Sequence, residues 1–290
     1  MAKKPKQDKQ EVSTTGHTWD GIEEFDNPLP RWWLWVFYAT IVWGIWYVIA
    51  YPAWPLVNGA TAGYKGWSTR GQLEERMTEA DAANAEINAK LASAELTEIP
   101  DDPELNAYAV SAGGAVFRTW CAQCHGSGAA GVQAGGYPNL LDDDWLWGGT
   151  LDDIHYTIAN GIRNDEDPDA RWSQMPAFGD ILDSESIDRV VNYVMSFSGE
   201  PRDAAAASAG EEIFLNNCAA CHGDAGGGDI YQGAPNLADA IWLYGGEYET
   251  IRETVTNARF GIMPPMGGAD LSEAETRAVA VYVHQLGGGM

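Results

Sequence analysis

The chain is short of cysteine, histidine and positive charge: its 290 residues include 4 Cys, 5 His and 17 Lys+Arg, set against 42 Asp+Glu. With a formal net charge of −25 it lacks the basic face that phosphate binding needs, which excludes nucleic acid as an expected partner. Four cysteines are too few to staple a scaffold of this length with disulfides, so they pair incidentally or carry chemistry. What the chain does have is aromatic residues, 13 Trp among them, which argue against wholesale disorder. Its length allows about two compact domains.

The cysteines fall as Cys121-Ala-Gln-Cys124-His125 and Cys218-Ala-Ala-Cys221-His222, leaving none outside a motif. C-x-x-C-H is the attachment pattern for c-type haem, in which two thiols form thioethers to the vinyl groups and the adjacent histidine ligates the iron. A zinc ribbon would place its second cysteine pair some 15–20 residues after the first, whereas 93 residues separate Cys124 from Cys218. A thioredoxin-like pair would not need the trailing histidine twice. Two covalently attached haem c groups are the expected cofactors.

One uncharged stretch, Trp32 to Tyr51, is 20 residues long. As a helix it would span about 30 Å, the thickness of a bilayer's hydrocarbon core. Trp32, Trp33 and Trp35 bracket one end and Tyr47, Tyr51 and Trp54 the other, as interfacial aromatic belts do. Val48-Ile-Ala50 would tolerate signal-peptide cleavage, but a 31-residue leader with six acids, followed at once by Pro52 and Pro55, reads as a retained anchor. Lys3, Lys4, Lys6, Lys9 and Arg31 put the short N-terminus in the cytoplasm. Resemblance to bacterial c-type cytochromes implies haem attachment in the periplasm, on the opposite side. The exported part then carries 12 basic and 36 acidic side chains.

The cysteine motifs belong to a longer repeat. Gly113-x-x-x-Phe117, Pro138-Asn-Leu140 and Trp145-Leu-Trp-Gly-Gly149 recur 97 positions later as Gly210-x-x-x-Phe214, Pro235-Asn-Leu237 and Trp242-Leu-Tyr-Gly-Gly246. Beyond Asn160 and Asn257 the offset shrinks to 88 at Met175-Pro176 and Met263-Pro264, so the first copy carries nine extra residues within Gly161–Trp172. That acidic insertion reads as a solvated loop, with a docking surface as the alternative. Each copy shows apolar residues at helical spacing, Ile187, Val190, Val191, Val194 and Phe197 in one and Ala278, Val281, Tyr282 and Leu286 in the other. Asp183 or Ser184, and Ser272, are candidate N-caps. Nothing in the copies alternates like a sheet.

A histidine-ligated iron needs a second axial ligand for electron transfer, and a thioether there raises the potential. Met175 and Met263 are the methionines placed equivalently in both copies, and they complete the expected iron ligands His125, Met175, His222 and Met263. Own-domain ligation is the default, and ligation across domains stays open. Met195 reads as core packing and Met266 as a competitor for the second iron. His17, His155 and His284 are assigned no iron.

The segment His17-Thr-Trp19-Asp20-Gly21-Ile22-Glu23-Glu24-Phe25-Asp26-Asn27-Pro28-Leu29-Pro30-Arg31-Trp32-Trp33, the anchor ending Tyr51-Pro-Ala-Trp54-Pro55, and the tandem C-x-x-C-H domains together resemble the dihaem subunit III of cbb3-type cytochrome c oxidases, the CcoP/FixP family. The resemblance covers essentially the whole chain. It implies a mainly α protein, with one N-terminal transmembrane helix followed by two tandem cytochrome c-like domains. It implies a single-pass protein of the bacterial inner membrane whose haem domains are periplasmic. The implied role is to accept electrons from a donor cytochrome c and relay them to a monohaem cytochrome c subunit and an oxygen-reducing catalytic subunit, without a catalytic site of its own. The alternatives are a free-standing membrane-anchored dihaem carrier serving periplasmic reductases, and a dihaem peroxidase.

The expected organisation is a cytoplasmic segment over 1–31, a transmembrane helix over 32–51 and a periplasmic linker with a polar helix over 52–106. A first haem domain follows over 107–199, a linker over 200–209 and a second haem domain over 210–290.

Overall fold

Prolines set both ends of the apolar helix. In the computed structural model, which describes residues 13–290, α1 runs from Arg31 to Ala50, directly after Pro30 and shortly before Pro52. The chain divides into two units, residues 1–83 and 84–290. In the first unit, α1 leaves nearly all its side chains uncovered, and it is long and apolar enough to cross a membrane. The carbonyls at its C-terminal end are met by the returning chain: Tyr64 N–H donates to Ile49 O and Lys65 N–H to Ala50 O. Lys65 Nζ lies 5.2 Å from the Tyr51 ring centroid and 5.6 Å from that of Trp46, a cation where the helix dipole is negative. Lys3, Lys4, Lys6 and Lys9, on which the expected orientation rests, lie outside the described residues.

Two short β hairpins flank α1: β1 (Thr14–Trp19) with β2 (Ile22–Phe25), and β3 (Pro55–Leu56) with β4 (Gly59–Ala60). Asp20-Gly21 closes the first, both residues having positive φ, as a two-residue turn matched to strand twist requires. The polar helix α2 (Thr69–Ser93) follows. Near its C-terminal end Leu91 is fully buried, Lys90 Nζ pairs with Asp102 at 2.7 Å, and Tyr108 Oη donates to Asn88. That end is packed into the core that also holds Leu105 and Phe117.

In the second unit each major helix has a local reason to start. Asp102 caps α3 (Pro103–Val116) by accepting from Glu104 N–H and Leu105 N–H, with Pro103 at the first position. A π-type turn, Phe117–Cys121, leads into α4 (Ala122–His125). Thr150 caps α5 (Leu151–Asn160), which ends at Gly161 with φ +73°. Asp183 caps α6 (Ser184–Ser198), and Asp203 caps α7 (Ala204–Asn217), which leads into α8 (Ala219–His222). After α9 (Tyr248–Asn257), α10 (Glu273–His284) begins with a capping box between Ser272 and Glu275.

How these helices pair departs from the expected domain boundaries. Only residues 199–203 separate α6 from α7, and so short a connection makes the two an antiparallel pair. Most of the stretch expected as a linker, 200–209, is therefore helix. α3 then packs on α10 from the far end of the chain. Gly113 permits one close crossing, because a Cβ there would strike Ala278 O, and Gly210 permits the other, against Arg189 O. Phe117 meets Tyr282 at 5.5 Å and Phe214 meets Tyr193 at 5.4 Å. The Gly-x-x-x-Phe helix of each copy thus packs on the tyrosine-bearing helix of the other copy.

Two lobes result, each drawn from both copies. One core joins Leu105, Phe117, Ile154 and Ile158 to Leu271, Val279, Val281 and Val283. The other joins Phe178, Ile187, Val190 and Val194 to Phe214, Ile251 and Val255. The expected contiguous domains 107–199 and 210–290 therefore describe the sequence repeat, and the packing exchanges their C-terminal halves.

Candidate haem sites

In each lobe the C-x-x-C-H motif lies on a short helix that follows the buried phenylalanine, at one wall of an apolar cavity. The first cavity is bounded by Phe117, Cys121, His125, Pro138, Leu140 and Ile158, and the second by Phe214, Cys218, Cys221, His222, Pro235 and Leu237. Their empty space, including the part open to solvent, is about 720 and 1330 Å³. Phe117 is 1% and Phe214 0% exposed, so the floor of each cavity is dry.

Burial pushes the Cys121 and Cys218 thiols up to about 11, with the neighbouring motif cysteine adding to the effect. The apolar setting holds both in the protonated form. Burial also lowers the pKa of His125 and His222, keeping both imidazoles neutral. His125 Nδ1 lies 3.2 Å from Pro138 O, and His222 Nδ1 3.0 Å from Pro235 O. A neutral ring donating from Nδ1 leaves Nε2 with its lone pair free for a metal, so the repeated Pro-Asn-Leu segment fixes the tautomer a ligand requires.

The methionines change lobes. Met263 lines the cavity of Cys121 and His125, and Met175 lines the cavity of Cys218 and His222. Ligation within each sequence copy, the default expectation, is not what the geometry offers. Met263 is tied to the first copy by paired bonds, Ile162 N–H to Met263 O at 2.9 Å and Met263 N–H to Ile162 O at 3.0 Å. Asn164 Nδ2 adds a bond to Met263 O at 3.2 Å while its Oδ1 accepts from Glu166 N–H and Asp167 N–H.

Ile162 borders the nine-residue insertion and Asn164 lies within it, so that segment is only partly the solvated loop expected. Its acids Asp165, Glu166 and Asp169 face solvent, whereas Asn164 is 8% exposed. Arg171 pairs with Asp153 at 3.2 Å and covers Tyr156 and Trp147.

Among the described residues, the other methionines and histidines stay out of the two cavity linings. Met195 packs in the core of the second lobe, and Met266 packs against the first lobe, outside both cavity linings. His155 Nε2 is 3.7 Å from Glu273, His284 Nε2 is 3.0 Å from Met290 O, and His17 lies on β1.

Sequence reasoning missed the aromatic exchange between lobes. Trp147 lines the first cavity and fills the place a Cβ of Gly233 would take, while Tyr244 lines the second and fills the place a Cβ of Gly136 would take. The two aromatics are 97 positions apart, as are the two glycines, and that offset was the available signal. Trp147 is 6% exposed, and its Nε1–H has no acceptor among the described residues. A buried donor left over at the cavity, beside neutral thiols and two metal-competent imidazoles, fits a c-type haem with acidic side groups.

Fold and sites together define a membrane-anchored c-type cytochrome of two lobes. A family model described as the N-terminal domain of cytochrome oxidase-cbb3, FixP, matches residues 11–58, and one described as cytochrome c oxidase, cbb3-type, subunit III matches 109–194 and 205–283. The chain is 59% identical over 292 residues to the cbb3-type cytochrome c oxidase subunit CcoP of Cereibacter sphaeroides, covering 100% of each. It is 52% identical over 299 residues to CcoP of Rhodobacter capsulatus, again covering 100% of each. To subunit FixP of Azorhizobium caulinodans it is 51% identical over 278 residues, covering 96% of this chain and 94% of that one. The chain belongs to the CcoP/FixP family, subunit III of cbb3-type cytochrome c oxidases.

Proposed function

We propose that this chain carries two covalent haems and relays electrons from a donor cytochrome c to the monohaem and oxygen-reducing subunits of a cbb3-type oxidase. The observation that carries the reading is the pairing, in each of two cavities of a family member, of a C-x-x-C-H motif with one methionine. A c-type haem bound there supplies a reversible one-electron couple at its iron.

The chain's own residues do the rest. Cys121 and Cys124, and Cys218 and Cys221, anchor the group covalently. His125 and Met263 would hold the iron of the first site, and His222 and Met175 that of the second. Phe117 and Phe214 close the inner walls against water. With two protein ligands at each site, the bound iron would keep no position for oxygen or peroxide, which supports a relay and not a catalytic site.

The anchor α1 leaves the N-terminus in the cytoplasm and both lobes in the periplasm. Trp43, Gly44 and Trp46 lie mid-helix, where packing against partner helices of the oxidase gives them a use.

The test is an affinity purification from membranes through a tag on this chain. The oxygen-reducing and monohaem subunits should co-purify, with oxygen uptake driven by a reduced cytochrome c and lost when Cys124 or Cys221 is replaced. Recovery of the chain free of an oxygen-reducing subunit would instead support the free-standing carrier.

A further inference from the structure

The two cavities come from one repeated pattern and differ in charge. The second is lined by Arg163 and Arg259 and by no Asp or Glu. The first is lined by Asp144 and by no Arg or Lys. Arg259 donates from Nη2 to Thr250 O at 2.8 Å and from Nε to Thr254 Oγ1 at 3.0 Å, and its guanidinium lies 4.5 Å from the Tyr244 ring centroid. Arg163 donates from Nε to Ser173 O and from Nη1 to Gly261 O at 3.1 Å, between the rings of Trp147 and Phe260.

Among the described residues neither guanidinium has a carboxylate partner, and Arg163 Nη2 and Arg259 Nη1 have no acceptor. Burial disfavours the charge on Arg163, yet a guanidinium stays protonated throughout the working pH range. Two half-buried cations facing one cavity with spare N–H groups call for an anion inside it.

The difference is written into the covalent sequence. Extending the 97-residue offset past Asn160 and Asn257 aligns Gly161 with Ala258, and both have positive φ, +73° and +55°. The next pair is Ile162 and Arg259, so an isoleucine lines the first cavity where an arginine lines the second. Arg163 lies in the insertion, which the second copy lacks. It points across the lobe boundary to the second cavity, so no cation of its kind serves the first.

We propose that Arg163 and Arg259 set the potential of the second site, holding the acidic side groups of the haem carried by Cys218 and Cys221 and making it the higher-potential of the two. This rests on the haem assignment proposed above. Reduction takes ferric iron to ferrous with one electron and no bond made or broken, lowering the charge of the centre by one. Fixed cations beside it favour the reduced form, and a carboxylate beside the other site favours its oxidised form. A single electron shared between the two sites therefore rests on the second.

The experiment is a spectroelectrochemical titration of the full chain in detergent, with both haems confirmed attached by mass. R259Q and R163Q should each lower the higher-potential wave alone, changing the ferrous-to-ferric ratio at fixed potential by about tenfold, equivalent to about 59 mV for a one-electron couple. R259K and R163K, which keep the charge, should stay close to the parent. A shift of the lower wave, of both waves together or of neither would overturn the proposal, as would lysine variants that fall as far as the glutamine ones.

Met175→His identifies the wave that belongs to the second site, and finding it on the lower wave would also overturn the proposal. If Met175→His displaces neither wave, the axial assignment fails, while the glutamine variants still decide whether the arginines set the potential.

Discussion

Asp144 carries the most displaced carboxyl beside the first cavity. Burial, with repulsion from Asp239, Asp142 and Asp143, pushes its pKa up to about 6. Above that pH it is a carboxylate and favours the oxidised state of the site it lines. The potential of the first site should therefore fall as pH rises from about 5 to 7 and then level off, and Asp144→Asn should abolish the slope in redox titrations across that range. The axial exchange has a separate check. With Cys121 and Cys124 replaced by alanine only the second haem can attach, and Met175→His, not Met263→His, should then alter its spectrum. Ligation within each copy gives the reverse. The four cysteines and two histidines that the structure places at the cavities are legible in the sequence, because the C-x-x-C-H spacing marks them. The methionines were legible as residues but not as partners, since an offset shows equivalence and says nothing about which cavity a sulfur enters. Arg163 and Arg259 were not legible at all, because a lone arginine in a loop leaves no periodic trace.

At the scale of elements, the exchange was in principle readable. Asp203 ahead of Ala204 is an N-cap signal, and it leaves only five residues, 199–203, after α6, too few to separate two domains and enough for a tight helix pair. Alanine, proline and aspartate in that stretch have the composition of a linker, although Ala204–Ala207 favours helix. The Asp20-Gly21 hairpin leaves only a weak trace, its strands being short and flanked by an apolar run with a stronger signal. The repeated glycines Gly113 and Gly210 have a physical role that can be measured. A valine at either would push a side chain into a facing helix carbonyl and should destabilise the chain by about 1–3 kcal/mol in thermal or denaturant unfolding. Gly44, with open space around it among the described residues, should tolerate alanine in the isolated chain with little change.

Across the whole molecule, the acids dominate the part that follows the first 31 residues, with 36 acidic against 12 basic side chains. A field of that sign steers a basic donor, so the second-order rate of electron uptake from such a donor should drop about tenfold or more as salt is raised from about 0.01 to 0.15 M. A rate indifferent to salt would show that the donor docks without help from this charge. The packing of α3 on α10 also sets a timetable for biogenesis. His222 and Met175 lie 47 positions apart, and His125 and Met263 lie 138 apart. As the chain emerges N-terminus first, the second motif meets its sulfur at once, while the first, although made earlier, waits for the segment that carries Met263 and α10. Loss of residues 263–290 would therefore strip the sulfur from the cavity of Cys121 and His125 while leaving Met175 in the other.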